Sequence, residues 1–183
     1  MCIRDSHGNG IAVQTVYEFI HANGFTTECK NAGKEVSVHD PCALRDEASV
    51  HQAIRGLLSG MGLTVTEMRH HGRRTVCCGE GGMVGFVKPA FAEGWAAIRQ
   101  RESDGRPLVA YCAGCTGFLN RVAPTVHVAD LLYRPEAAWN GSLKAAKAPF
   151  TYVNRILLKR RIKKDLNPLT VRVRRLYPAA KRA

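Results

Sequence analysis

The sequence has no apolar run near the roughly 20 residues that a membrane-spanning helix needs, and its opening, Met1-Cys2-Ile3-Arg4-Asp5-Ser6, lacks the apolar stretch of a secretory signal. A cytoplasmic, reducing setting is therefore expected. There, clustered cysteines serve as metal ligands or redox groups more often than as crosslinks. At 183 residues the chain is long enough to bury a core without disulfide staples. Acidic residues run short in one place: residues 144–183 carry one acid, Asp165, against 13 lysines and arginines, whereas residues 1–143 carry 14 of each sign. The net charge of +12 thus belongs to a tail and not to the body of the chain.

What the sequence does have is five cysteines within 74 residues: Cys42, the pair Cys77-Cys78, and the Cys-x-x-Cys of Cys112 and Cys115. The gaps between the three groups are 34 and 33 residues. After the pair comes Gly79-Glu80-Gly81-Gly82, a poor helix and a poor strand, because glycine loses the most backbone entropy on ordering and offers no side chain to pack. Something other than packing should hold that stretch. Thiolates are soft, charged donors for zinc and iron, and an x-x spacing lets two sulfurs reach one ion. Four would satisfy tetrahedral zinc or an ordinary cubane, so the fifth is informative. Gly79, Gly81 and Gly82 would admit inorganic sulfide close to the backbone and leave N–H groups to bond it.

Periodicity supplies a framework. Val13, Val16, Tyr17 and Ile20 lie on one helical face that Asn23-Gly24 would end, and Glu35 to His39 reads as a strand stopped by Asp40-Pro41. Val50, Ile54, Leu57, Leu58 and Met61 predict a helix capped by Asp46 and stopped by Gly60 and Gly62. Leu63 to Thr66 and a brief Thr75-Val76 read as extended chain. Pro89 opens a helix bearing Phe91, Trp95 and Ile98, which ends near Ser103 to Gly105. Pro107 to Tyr111 is a strand, Phe118 to Val122 a turn or two of helix, Val126 and Val128 a last strand, and Leu131-Leu132 a closing helix. Strands separated by helices imply crossovers, so the expected fold is α/β with a mainly parallel sheet. Each cysteine group would then follow a strand and meet the others at the C-terminal sheet edge, where such sheets bind ligands.

The motifs His39-Asp40-Pro41-Cys42, Cys77-Cys78-Gly79-Glu80-Gly81-Gly82, Tyr111-Cys112-Ala113-Gly114-Cys115 and Val128-Ala129-Asp130-Leu131-Leu132 resemble the cysteine-rich CCG domain of heterodisulfide reductase B subunits and of the iron-sulfur subunits of glycolate and lactate oxidation complexes. The resemblance covers about Val36 to Tyr133. It implies a 4Fe–4S cluster, of the noncubane kind in some members, held by Cys42, Cys77, Cys78, Cys112 and Cys115, with zinc as the alternative occupant. It further implies an oxidoreductase component that transfers electrons in disulfide reduction or 2-hydroxy acid oxidation, with ferredoxin-like or flavin-containing subunits as partners. Members commonly carry two such repeats and often a ferredoxin-like region; this chain has one repeat and no ferredoxin motif. The expectation is a C-terminal piece, or a subunit whose other parts sit on a partner.

By these readings residues 1–10 are a non-native or disordered leader, 11–143 the cysteine-rich domain and 144–183 a basic tail. Cys2 and Cys29 read as incidental thiols. His39 either supports its loop or hydrogen bonds a cluster sulfur, and Asp40 has the same two readings. Glu80 is an exposed loop carboxylate or a proton carrier, and His70-His71-Gly72-Arg73-Arg74 a solvated turn or a substrate-facing basic patch. In the tail, Val153, Leu157, Leu158, Ile162 and Leu166 drift around the helical wheel instead of forming one stripe, which argues against an interfacial membrane helix. The tail is expected to dock on a partner subunit or on the inner membrane surface, in preference to nucleic acid. The rival from another class is a zinc-stabilised binding module that uses this tail, with no redox role.

Overall fold

The computed structural model describes residues 14–24, 33–143 and 149–166. The chain divides into two compact units, Met1–Leu143 and Lys144–Ala183. Cys2, Val13, Cys29, Pro168, Arg172, Arg174 and Arg175, which entered the sequence reading, lie outside the described residues.

In the first unit, helix α1 (Val16–Ala22) starts at a capping box: the Glu18 N–H donates to Thr15 Oγ1 at 3.3 Å and the Thr15 N–H to Glu18 Oε2 at 2.7 Å. Such a cap contributes about 1 kcal/mol, which a seven-residue helix needs. Strand β1 (Glu35–His39) and helix α2 (Ala48–Gly60) follow. The Asp46 cap expected for α2 is not formed. Glu47 occupies the cap without a side-chain bond, and Asp46 is drawn away by Arg73, whose Nε donates to it at 3.1 Å. Strand β2 is short (Thr64–Val65), and Thr75-Val76 pairs with no strand, so Cys77 and Cys78 arrive on a loop.

Helix α3 (Val84–Val87) leads into α4 (Pro89–Ser103), which has Pro89 in its first turn and ends where Asp104 and Gly105 turn left-handed, at φ 50° and 75°. The face that α4 buries is Ala92, Ala96, Arg99 and Ser103; Phe91 and Trp95 stay largely in water. Ala92 and Ala96 let α4 lie close to its neighbours, and the long Arg99 is buried through its bond to the His70 carbonyl and its ion pair with Glu102. Strand β3 (Leu108–Ala110), helix α5 (Ala113–Leu119), strand β4 (Thr125–His127) and helices α6 (Val128–Tyr133) and α7 (Pro135–Trp139) complete the unit.

The four strands form one all-parallel sheet in the order β2-β1-β3-β4. The registers Val38↔Val109 and Val109↔Val126 run through its middle. Because side chains alternate across a strand, the sheet sorts its residues onto two faces. Val36, Val38, Val109 and Tyr111 join Val50, Ile54, Leu57, Leu58, Leu131 and Leu132 in the larger core. Leu108 and Ala110 face the other way, into a smaller core with Met68, Ala96, Leu119, Cys78 and Cys115. Each fully buried Leu or Ile contributes about 1.5–3 kcal/mol, so the larger core anchors the sheet and the smaller one lies under the cysteines.

In the second unit, α8 (Phe150–Leu166) keeps Val153, Ile156, Leu157, Leu158 and Ile162 exposed, with no buried stripe among its described side chains. Among the described residues no helix is long and apolar enough to cross a membrane.

Candidate metal centre

Three loops carry the cysteines. The first leaves β1 at His39, passes Asp40-Pro41 and tightens into a 3-10 turn, Cys42–Leu44, with Cys42 exposed at its start. The second runs from the short turn Gly72–Arg74 to Cys77 and Cys78. The third leaves β3 at Ala110; Cys112 caps α5 and Cys115 lies in its first turn, three residues on, so both sulfurs face one side. Two of the three groups thus follow sheet strands as expected, and the middle one follows a loop.

The thiols converge. Cys42 and Cys77 are close enough to hydrogen bond, and so are Cys78 with Cys115 and Cys115 with Cys112. At depth, the ligand atoms of His39, Cys78 and Cys115 lie within 4.8 Å of one another, and all three residues are buried. Backbone N–H groups turn toward sulfur: Gly79 donates to Cys77 Sγ at 3.3 Å, and the Glu80 N–H donates to Cys78.

The Cys78 thiol is held far below its ordinary range, first because Cys115 donates to it, and then because His39 and the Glu80 N–H outweigh the effect of burial. The Cys115 thiol moves the opposite way for the same reason: it keeps its proton and donates it as a hydrogen bond to the Cys78 sulfur, and burial adds to the rise. Burial and the nearby Cys77 raise the Cys42 thiol, with Arg45 opposing. Neither ring nitrogen of His39 has an aligned hydrogen-bond partner, although the residue is fully buried. A buried polar group without a partner costs about 1–3 kcal/mol, and this one faces two cysteine sulfurs.

Asp40, also fully buried, accepts from Arg55 Nη1 at 2.7 Å and Nη2 at 2.8 Å, from the Gly72 N–H at 2.6 Å and from the Tyr111 hydroxyl at 2.8 Å. Burial pushes its carboxyl up, but these donors prevail and hold it below the usual carboxylate range. Glu67 grips the far side of Arg55 at 2.7 and 2.9 Å. Tyr17, on α1, stands edge-on to Tyr111 with ring centroids 6.1 Å apart, and burial together with Cys112 raises its phenol.

The glycines differ. Gly79 sits at φ 103°, and a side chain there would strike the Ala92 carbonyl and the Phe118 ring, so its bareness serves the approach of α4 and α5. Gly82 is left-handed at φ 71°, while Gly81 stands in open space. Glu80 is exposed with its carboxylate against Gly114, between Cys112 and Cys115. The turn His70 to Arg74 is more than solvated chain: His70 Nδ1 bonds Glu102, Arg99 Nη1 donates to the His70 carbonyl at 2.7 Å, and His71 Nδ1 meets the Met68 carbonyl at 2.7 Å. Arg73 and Arg74 are exposed.

Sequence reasoning missed Arg55, Thr75 and Tyr17. Arg55 offered a signal: it adjoins the apolar stripe Val50, Ile54, Leu57, Leu58 on the helix that follows Asp40, a place where a charge needs a partner.

Residues 36–120 match the model of a family described as "CCG: Cysteine-rich domain", a span that contains all five cysteines. Among curated proteins, the chain is 31% identical over 94 residues to one from Chromohalobacter salexigens named "Probable membrane-anchored ferredoxin". That match takes in 50% of this chain and 14% of the relative, so the chain spans a small part of the relative's length.

Proposed function

Residues 36–120 belong to the cysteine-rich CCG domain family, and from that premise we propose that Cys42, Cys77, Cys78, Cys112 and Cys115 hold a 4Fe–4S cluster in a chain that relays electrons within a larger oxidoreductase. The observation that carries this reading is the convergence of five thiols from three loops, two of them buried beside an unpartnered imidazole. The donor set fits the group. Sulfur is the ligand such clusters use, and N–H groups aimed at sulfur are how proteins tune them. When bound, the cluster supplies one-electron steps. The chain's own residues do the rest: Cys78 is poised as thiolate, Gly79 and Glu80 donate N–H to sulfur, and His39 faces the buried pair.

The substrate class follows the family resemblance: a disulfide to be reduced or a small 2-hydroxy acid to be oxidised, with ferredoxin-like or flavin-containing subunits on either side. The relative's name, a ferredoxin, supports the electron-transfer part. Exposed Cys42 is the thiol a partner or substrate could reach. Helix α8 and its basic surroundings dock on a partner subunit or on the cytoplasmic face of the membrane in this reading.

One observation favours a second reading. His39, Cys78 and Cys115 suit a single small ion, and with Cys112 they would complete a structural zinc site. Metal and acid-labile sulfide analysis on the full chain purified without oxygen separates the two. About four iron and four sulfide per chain are expected. One zinc with no sulfide and no visible absorption overturns the redox reading.

A further inference from the structure

We infer that Asp40 sets the spacing of the three cysteine loops, as a positioning residue that touches no metal ligand itself. Asp40 is two residues before Cys42. Its carbonyl accepts from Thr75 Oγ1 at 2.6 Å, and Thr75 is two residues before Cys77. Its Oδ1 accepts from the hydroxyl of Tyr111, which immediately precedes Cys112. Its Oδ2 accepts from the Gly72 N–H, at the start of the second loop. One residue therefore holds all three loops within a few bonds of their cysteines.

The attachment is stiff for two reasons. An ionised carboxylate has about four acceptor positions, and here four donors occupy them: two from Arg55, one from Gly72 and one from Tyr111. Arg55 cannot swing away, because Glu67 takes its other edge. Bonds from charged groups at this depth are the strong kind, and buried networks that are fully satisfied specify one arrangement. The sheet delivers the first and third loops to one edge, and Asp40 ties the middle loop to them there.

Asparagine at this position breaks the arrangement in a definite way. Each carboxylate oxygen faces an Arg55 nitrogen plus one loop donor, so whichever oxygen becomes an NH₂ group meets an N–H that can only donate. Tyr111→Phe removes only the tie to the third loop, and Thr75→Val only the side-chain tie to the second. Glu102→Gln, at the ion pair with His70 and Arg99, touches neither Asp40 nor Arg55 and leaves every loop tie in place, which makes it the control for stability alone.

The test uses the reduced, metal-free full chain titrated with Co²⁺, followed through the thiolate-to-cobalt absorption band, with thermal melting of each variant alongside. Asp40→Asn is expected to weaken Co²⁺ binding by about ten- to a hundredfold, the loss typical of removing an outer support. Glu102→Gln is expected to change it by less than about threefold. The inference is overturned if folded Asp40→Asn binds Co²⁺ like the parent, or if all variants lose affinity only in proportion to their lost stability. Should Asp40→Asn fail to fold, the Thr75→Val/Tyr111→Phe double variant carries the same test with the same two outcomes. The inference rests on the five thiols forming one site, not on which metal they hold. If the anaerobic protein carries zinc without sulfide, the iron-sulfur reading fails while the Co²⁺ comparison still decides the role of Asp40.

Discussion

The cysteine centre has an inner and an outer half, and the two are built differently. Cys78 and Cys115 are 3% and 6% exposed, walled by Ala96, Ala110 and Leu119, with His39 fully buried beside them. Cys42 is exposed, and Cys77 and Cys112 are half-buried. In the inner pair Cys115 donates to Cys78 in an apolar setting, where an unpartnered polar group is costly, whereas the outer thiols can exchange bonds with water. Identical side chains thus stand in two settings, and on the proposed function the inner half would anchor what is bound while the outer half presents it.

The sharpest way to break this contrast is to remove one thiol from each half. Cys78→Ser is expected to abolish most of the iron and sulfide bound per chain, because a serine there leaves the Cys115 thiol and the Glu80 N–H without the thiolate they donate to. Cys42→Ser, at the rim, is expected to retain at least half of the bound metal. Metal analysis of both variants, purified without oxygen, decides. Equal losses would erase the distinction between the halves, and unchanged iron in Cys78→Ser would remove that residue from the ligand set.

His39 sharpens the contrast from inside the buried half. An imidazole that only supports its loop would cost stability wherever it is removed. The structure gives it no aligned partner within the protein, and in the metal-free form its polar atoms act only on the nearby Cys78 sulfur, whose thiol they help to lower. Leucine at this position should therefore leave the stability of the metal-free protein nearly level, the lost contact with Cys78 offsetting about 1–3 kcal/mol of relieved desolvation. The metal-loaded protein should melt lower than the loaded parent. Parallel melts of both forms check this, and an equal fall in both would reduce His39 to loop support.

Much of this was legible in the chain because it rests on local rules. The strand Glu35–His39 alternates and stops at a proline, Pro89 opens its helix, and the Cys-x-x-Cys spacing shows in any single sequence. The middle loop was misread because Thr75-Val76 has strand-forming side chains, yet Thr75 spends its hydroxyl on Asp40 and finds no partner strand. Which face α4 buries did not show in the sequence: the close approach of the Gly79 backbone to the Ala92 carbonyl favours a small side chain at that point, while Phe91 and Trp95 stay largely in water. The four-donor grip on Asp40 draws on residues 55, 72 and 111, and no periodicity links positions so far apart. Local pattern announces elements and ligands, while polar networks between loops depend on topology.

The smallest expected effect lies behind the inner half, where the loop carrying Cys77 and Cys78 begins. Burial pushes the Glu102 carboxyl up, but His70 and Arg99 outweigh it, so the folded protein holds this group below its ordinary value. A depressed carboxyl contributes stability that is fully present above the unfolded pKa and is lost as pH falls through the folded one. The parent should therefore lose stability more steeply than Glu102→Gln as pH drops from about 5 to 3, by no more than about 1 kcal/mol for a partly exposed pair. Denaturant melts across that range measure it, and parallel curves would show that the ion pair adds nothing. Metal content at neutral pH should not move, because Glu102 meets His70 and Arg99 and lies ten residues or more, along the chain, from every proposed ligand. On the proposed reading that separation bounds the inner half: metal affinity would depend on what touches sulfur or holds the loops together at Asp40, and the outlying ion pair would add only stability.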